Sequence, residues 1–188
     1  MPESRLSVGN VEILTLNDNE GALPLSYIFP DVPSEAWAPY RQRYPEIFSD
    51  PETWRGHFHC LVLRSQGRTI LVDTGLGSNA TNPGAVSALA GGVDGRLMAE
   101  LQLAGVRPEG IDTVFLTHLH PDHVGWNLAQ RGASPRATFP RARYVCHQAD
   151  WDAFKKPEVR GVFPFDFWEE TIEPLEKLGV LELLSGEK

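Results

Sequence analysis

Apolar and polar positions alternate weakly over residues 8–16, which predicts an opening β-strand. Turn-forming residues follow at 17–21 (Asn-Asp-Asn-Glu-Gly) and predict a bend there. Residues 22–55 lose all periodicity. Prolines at 24, 30, 33, 39, 45 and 51 alternate with Tyr27, Phe29, Trp37, Tyr40, Tyr44, Phe48 and Trp54. Proline limits regular elements while the aromatics favour burial, so residues 18–55 are expected to form an irregular arm. One short helix near 34–44, with Ser34 as its N-cap, is expected within it. Strands resume at 57–64 and 69–73, joined by a tight turn at Gln66-Gly67. Residues 82–92 read as loop. Asp94 is expected to cap a helix over 95–104 that buries Leu97, Met98, Leu101 and Ala104 and stops at Gly105. A strand at 111–117, another at 138–146, helices at 148–154 and 169–178 (the second bent at Pro174) and a strand at 179–184 complete the pattern.

Composition changes this picture little. The chain has 188 residues, 41% hydrophobic and 22% charged, so a single domain over 1–188 with a sizeable core is expected. The net charge of −8 comes with no lysine- or arginine-rich run, which argues against nucleic acid as a partner. Cys60 and Cys146 lie in apolar strand-like runs without C-x-x-C spacing, and are expected as buried thiols rather than a disulfide. No apolar stretch approaches the ~18 residues of a membrane helix, and residues 1–5 lead into no signal core. The expectation is no membrane association and a cytoplasmic location.

The chemistry is concentrated in Thr117-His118-Leu119-His120-Pro121-Asp122-His123. Three histidines and an aspartate within six positions are four good ligands for a divalent transition metal, and this mix of imidazole and carboxylate suits zinc or iron. The apolar, β-branched lead-in predicts a buried strand that delivers them. Pro121 ends any regular ladder and forces a turn. His118 and His120 would share a face of a continuing strand, whereas Asp122 and His123 follow the bend. That arrangement favours two neighbouring metals over one. Asp73 closes another buried strand, where a carboxylate needs a partner. His57 and His59 share an H-x-H spacing but have no carboxylate nearby in sequence, and read as polar residues at a strand mouth. His147 reads as a strand-end histidine.

His118-Leu119-His120-Pro121-Asp122-His123 resembles the H-x-H-x-D-H signature of the metallo-β-lactamase superfamily, and Ile70-Leu71-Val72-Asp73-Thr74-Gly75 resembles its strand-to-loop D-T-G element. The resemblance implies an α/β fold, an αβ/βα sandwich with a metal site at one edge of its sheets. It also implies that Asp73 supports the metal loop by hydrogen bonding, and that a glycine such as Gly125 lets the chain pack close after the ligands. The arm resembles the N-terminal extension of the lactonase and organophosphate-hydrolase branch. Two readings of it stand open: a flap over the site, or an arm lying on the body or on a second copy, which would make a homodimer.

The family's later ligands have no counterpart, since no histidine follows His147. Residues 182–188 read as a strand and turn running toward the next motif. The expectation is therefore the N-terminal part of a longer protein, its C-terminal part missing, binding metal weakly as given. The expected function is a zinc-dependent hydrolase acting on a small-molecule ester, lactone or related bond, with two zinc ions per complete site. His118, His120, Asp122 and His123 are the expected metal ligands, and Asp122 doubles as a proton carrier. A thioester hydrolase, a phosphotriesterase, and a noncatalytic binding module with a decayed site are the alternatives.

Overall fold

The computed structural model describes residues 4–186. Its main sheet begins with β1 (Ser4–Val8) and β2 (Val11–Pro24). A short helix α1 (Leu25–Ile28), a single 3-10 turn (Ser34–Trp37), helix α2 (Ala38–Arg43) and strand β3 (Phe48–Asp50) lead into β4 (Thr53–Ser65) and β5 (Arg68–Val72). Helices α3 (Pro83–Ala90) and α4 (Leu97–Leu103) precede β6 (Thr113–Phe115). A small ribbon of β7 (Leu128–Gln130) and β8 (Arg136–Ala137) comes before β9 (Arg143–His147), α5 (Gln148–Phe154), α6 (Pro157–Arg160), α7 (Glu173–Lys177) and β10 (Leu181–Leu184). The strand order is β1-β2-β4-β5-β6-β9-β10, with β3 beside β4. The first four strands on this path are antiparallel; β5, β6, β9 and β10 run parallel.

The register explains the core. Leu14, Val62, Leu71, Val114 and Tyr144 are paired neighbours across five strands, and all are fully buried. Because side chains alternate between faces, one row of this kind fixes the face of every strand. Leu97 and Leu101 of α4, Trp151 and Phe154 of α5 and Leu175 of α7 close over it. On the opposite face the row Thr15, Leu61, Val72 and Phe115 is only partly buried, with Phe115 38% exposed. Helices thus cover one face of the sheet, which is the αβ half of the sandwich expected from the sequence. Cys60 and Cys146 are free and buried, as expected, and burial pushes both thiols up.

Several expected elements differ. Residues 17–21 are no bend: β2 runs through them with a bulge between Asn17 and Asn19. The bulge turns Asp18 into the interior, where it is fully buried. Residues 18–24 and 53–55 belong to β2 and β4, so the irregular part of the arm is 25–52. Within it Ser34 caps no helix; its hydroxyl donates to Glu52 Oε1 and accepts from Arg41 Nη2. The arm is mostly exposed, and Tyr27 and Tyr40 stand open to solvent. Residues 82–92 contain helix α3. Pro83 in its first turn and Gly91 (φ 58°) at its end are proper start and stop signals, but its small residues give almost no periodic pattern. Asp94 does not cap α4; it accepts from the Asn79 amides instead. The strand expected at 111–117 is shorter, and only β9 and β8 form within 136–147. The 169–178 helix is a π-helical turn (Trp168–Ile172) followed by α7. Glu187 and Lys188, the end of the expected last turn, lie outside the described residues.

Leu71→Ala should lower stability by about 2–5 kcal/mol, because it opens a cavity in the central row. Val8→Ala on the exposed β1 should stay within about 0.5 kcal/mol of the parent. Urea denaturation separates the two; equal losses would show that the row is not the core.

Candidate metal centre

The loop 117–123 leaves the sheet at the C-terminal ends of the parallel strands, where open α/β sheets place their ligand sites. Leu116 N–H still donates to Val145 O (2.8 Å), so the strand continues one residue past β6 before the chain turns. Leu116, Leu119 and Val124 are buried, and they pin the loop to the core from within. The histidines between them are left facing outward. The turn itself closes with His123 N–H donating to His120 O (3.0 Å).

Asp73 orients this loop. Its Oδ1 accepts from Thr117 N–H and its Oδ2 from the Thr117 hydroxyl, both at 2.8 Å. Oδ2 also lies 2.8 Å from His123 Nδ1. Asp73 sits at φ 60°, a left-handed conformation that aspartate tolerates better than most residues. Asp73 thus hydrogen-bonds the loop that carries the expected ligands. Beyond it, Thr74 N–H donates to His123 O (2.8 Å), and Asn82 Nδ2 donates to Pro121 O (2.8 Å) and Leu76 O (3.0 Å).

The four expected ligands gather in one place. The His118 ring centre lies 3.9 Å from that of His123 and 4.6 Å from that of His120. Asp122 Oδ2 is 3.4 Å from His123 Nε2. Burial alone would lower the His123 pKa, but the hydrogen bonds and charges of Asp122 and Asp73 prevail and raise it to about 9. Burial, with the charge of neighbouring imidazoles, holds His118 and His120 low. Burial pushes Asp122 up, but its contacts with His123 outweigh this and hold the carboxyl below the usual range. Here His123 pairs with Asp122 and Asp73, and His118 Nδ1 lies 3.1 Å from the Thr117 hydroxyl. Among the described residues no three of them point their donor atoms at a common metal position. The donor set nevertheless suits a divalent cation in its chemistry. With Nδ1 of His123 engaged by Asp73, Nε2 is the nitrogen that would be left for a cation.

His57 and His59 do not join this cluster. They stack on each other along β4 (ring centres 5.7 Å apart), opposite Glu20 and Asn17 of β2. His147 ends β9, and its Nδ1 accepts from Ala149 N–H, so it caps α5. An aromatic wall went unforeseen: Phe163 and Phe154 meet the His120 ring edge-on at 5.4 and 5.8 Å. Phe163 also lines a cleft of about 430 Å³ with Phe165 and Arg160. Only the density of aromatics at 163–168 hinted at this.

The sequence profile of the Metallo-beta-lactamase superfamily matches residues 55–184. The chain belongs to the metallo-β-lactamase superfamily. Solved structures share its fold. A probable metal-dependent hydrolase from Staphylococcus aureus superposes with a TM-score of 0.74 at 20% identity, over 95% of this chain and 60% of its own. The hydrolase AbOPH, of the beta lactamase superfamily, gives 0.73 at 20% identity, over 97% and 60%. AidC, a dizinc quorum-quenching lactonase, gives 0.72 at 19% identity, over 98% and 62%. The metallo-β-lactamase chain described here thus spans about three-fifths of the length of these structures. No curated protein sequence matches it significantly. No helix among the described residues is long and apolar enough to cross a membrane.

Asp73→Ala should destabilise the protein by roughly 1–3 kcal/mol for each buried partner it strands, with added strain at φ 60°. Asp73→Asn keeps the turn and should cost less. Thermal unfolding of both variants checks this ordering, and equal loss would remove the argument from backbone conformation.

Proposed function

We propose that the protein is a metal-dependent hydrolase that cleaves an ester, lactone or related bond in a small molecule, using zinc. The observation that carries this reading is the clustering of His118, His120, His123 and Asp122 on one bend, with His123 Nδ1 held by Asp73. These four side chains would hold the metal. What a divalent cation supplies at such a site is Lewis acidity, which makes water a nucleophile near neutral pH and polarises a carbonyl oxygen. Asp73 keeps the Nδ1 proton of His123 in place, so that the imidazole presents Nε2. Asp122, beside His123 Nε2, would also take a proton and return it to the leaving group. Phe163 and Phe154 cover one side of the His120 ring, and the partly exposed Phe163 would offer an apolar surface to the substrate.

Zinc rather than a harder cation follows from the imidazole-rich donor set. The expectation of two zinc ions in the complete site draws support from AidC, which is described as dizinc. Preference for a lactone draws support from the structures with a product bound, AidC and an N-acyl homoserine lactone hydrolase among them.

In the intact protein, His120→Ala and Asp122→Ala should lose bound zinc and hydrolytic rate together, and Asp73→Asn should weaken zinc binding about 10–100-fold. Metal analysis beside a rate screen over lactones, aryl esters, thioesters and phosphotriesters tests this and ranks the substrates. Full rates in the alanine variants would contradict the metal assignment. A zinc-loaded protein inert to every substrate would favour a noncatalytic binding role.

A further inference from the structure

The metal loop is held from two sides. Asp73 holds one. The other begins at Asp18, a buried carboxylate that the proposed chemistry does not use. Its Oδ2 accepts from Leu76 N–H (2.6 Å) and Gly77 N–H (3.3 Å). Its Oδ1 accepts from Leu97 N–H (2.8 Å) and from the Trp126 indole N–H (2.9 Å). Its backbone carbonyl accepts from Arg96 N–H (2.6 Å). Burial raises the carboxyl pKa, and these donors oppose that rise.

Three segments therefore meet on one side chain: the turn after β5, the start of α4, and the stretch after the metal loop. Leu76 lies three residues past Asp73, and Trp126 three past His123. The two stretches are also tied to each other. Gly125 N–H donates to Gly75 O (2.8 Å), and Trp126 N–H donates to Thr74 O (3.1 Å). The packing leaves no slack. A side chain at Gly75 or Gly95 would run into the Asp18 carboxylate, and one at Gly125 into the Leu76 backbone. Three of the four carboxylate bonds go to the segments that carry Asp73 and His123, and one goes to α4.

We propose that Asp18 is a positioning residue for the metal loop: by clamping the stretch after Asp73 to the stretch after His123, it sets the direction in which His123 presents its imidazole. The proposal rests on the metal-dependent reading above, but it can fail separately from that reading.

The test uses three variants of the intact protein. Trp126→Phe removes one donor and keeps an aromatic ring. Asp18→Asn turns an amide N–H₂ against two of the donors. Leu101→Ala, in α4, costs core stability without touching the carboxylate. For each, the hydrogen-bonded Nδ1 proton of His123 is followed by NMR, zinc affinity by titration, and stability by urea. Trp126→Phe and Asp18→Asn should shift or broaden the His123 signal and weaken zinc binding about tenfold. Leu101→Ala should lose stability and keep both. A Trp126→Phe variant with the parental His123 signal and zinc affinity would overturn the proposal. Should Asp18→Asn fail to fold, Trp126→Phe decides alone. Should the parent protein bind no zinc, the metal-dependent reading falls, and the His123 signal in Trp126→Phe still decides the clamp.

Discussion

The direction of the loop 117–123 starts from one carboxylate at the end of one strand. Asp73 accepts two hydrogen bonds from Thr117 and one from His123, across 44 and 50 residues of sequence. A buried carboxylate is costly unless its oxygens are satisfied, so the contact constrains in both directions. The loop must come to Asp73, and Asp73 must adopt a left-handed conformation to meet it. β5 and β6 are parallel neighbours with Val72 beside Phe115, which brings the two ends together before any side chain is considered.

The rest of the site follows from what is buried between the expected ligands. Leu119 fills the core, so His118 and His120 project outward from either side of it. Pro121 ends the extended run, and the turn back to His120 O brings His123 against His118. The imidazoles thus have opposite electrostatic settings within one small cluster. The carboxylates of Asp122 and Asp73 raise the His123 pKa to about 9 against the effect of its burial, while burial lowers those of His118 and His120.

Much of this was legible because its causes are local. The H-x-H-x-D-H run, the Asp73 strand end, the Gln66-Gly67 turn and the helix Gln148–Phe154 are each specified by neighbouring residues. Asp18 was not legible. Asn-Asp-Asn-Glu-Gly has the composition of a turn, and the bulge that buries Asp18 exists because partners 58, 79 and 108 residues away receive it. Helix α3 escaped for a different reason. Apart from Pro83 and Leu89 it is built of Gly, Ala, Val and Ser, and Gly84 is needed where Phe165 packs against the helix, so amphipathic periodicity is almost absent. Phe163 reaches His120 only through tertiary packing, and no short-range pattern could have placed it there.

On the proposed function this bend would hold a metal. The most direct measurement is a crystal structure of the intact protein grown with zinc, with anomalous scattering recorded on both sides of the zinc edge. A zinc peak about 2.0–2.1 Å from ring nitrogens of both His118 and His120 is the predicted result. Imidazoles still bonded only to Asp73, Asp122 and Thr117, with no anomalous peak among them, would contradict it.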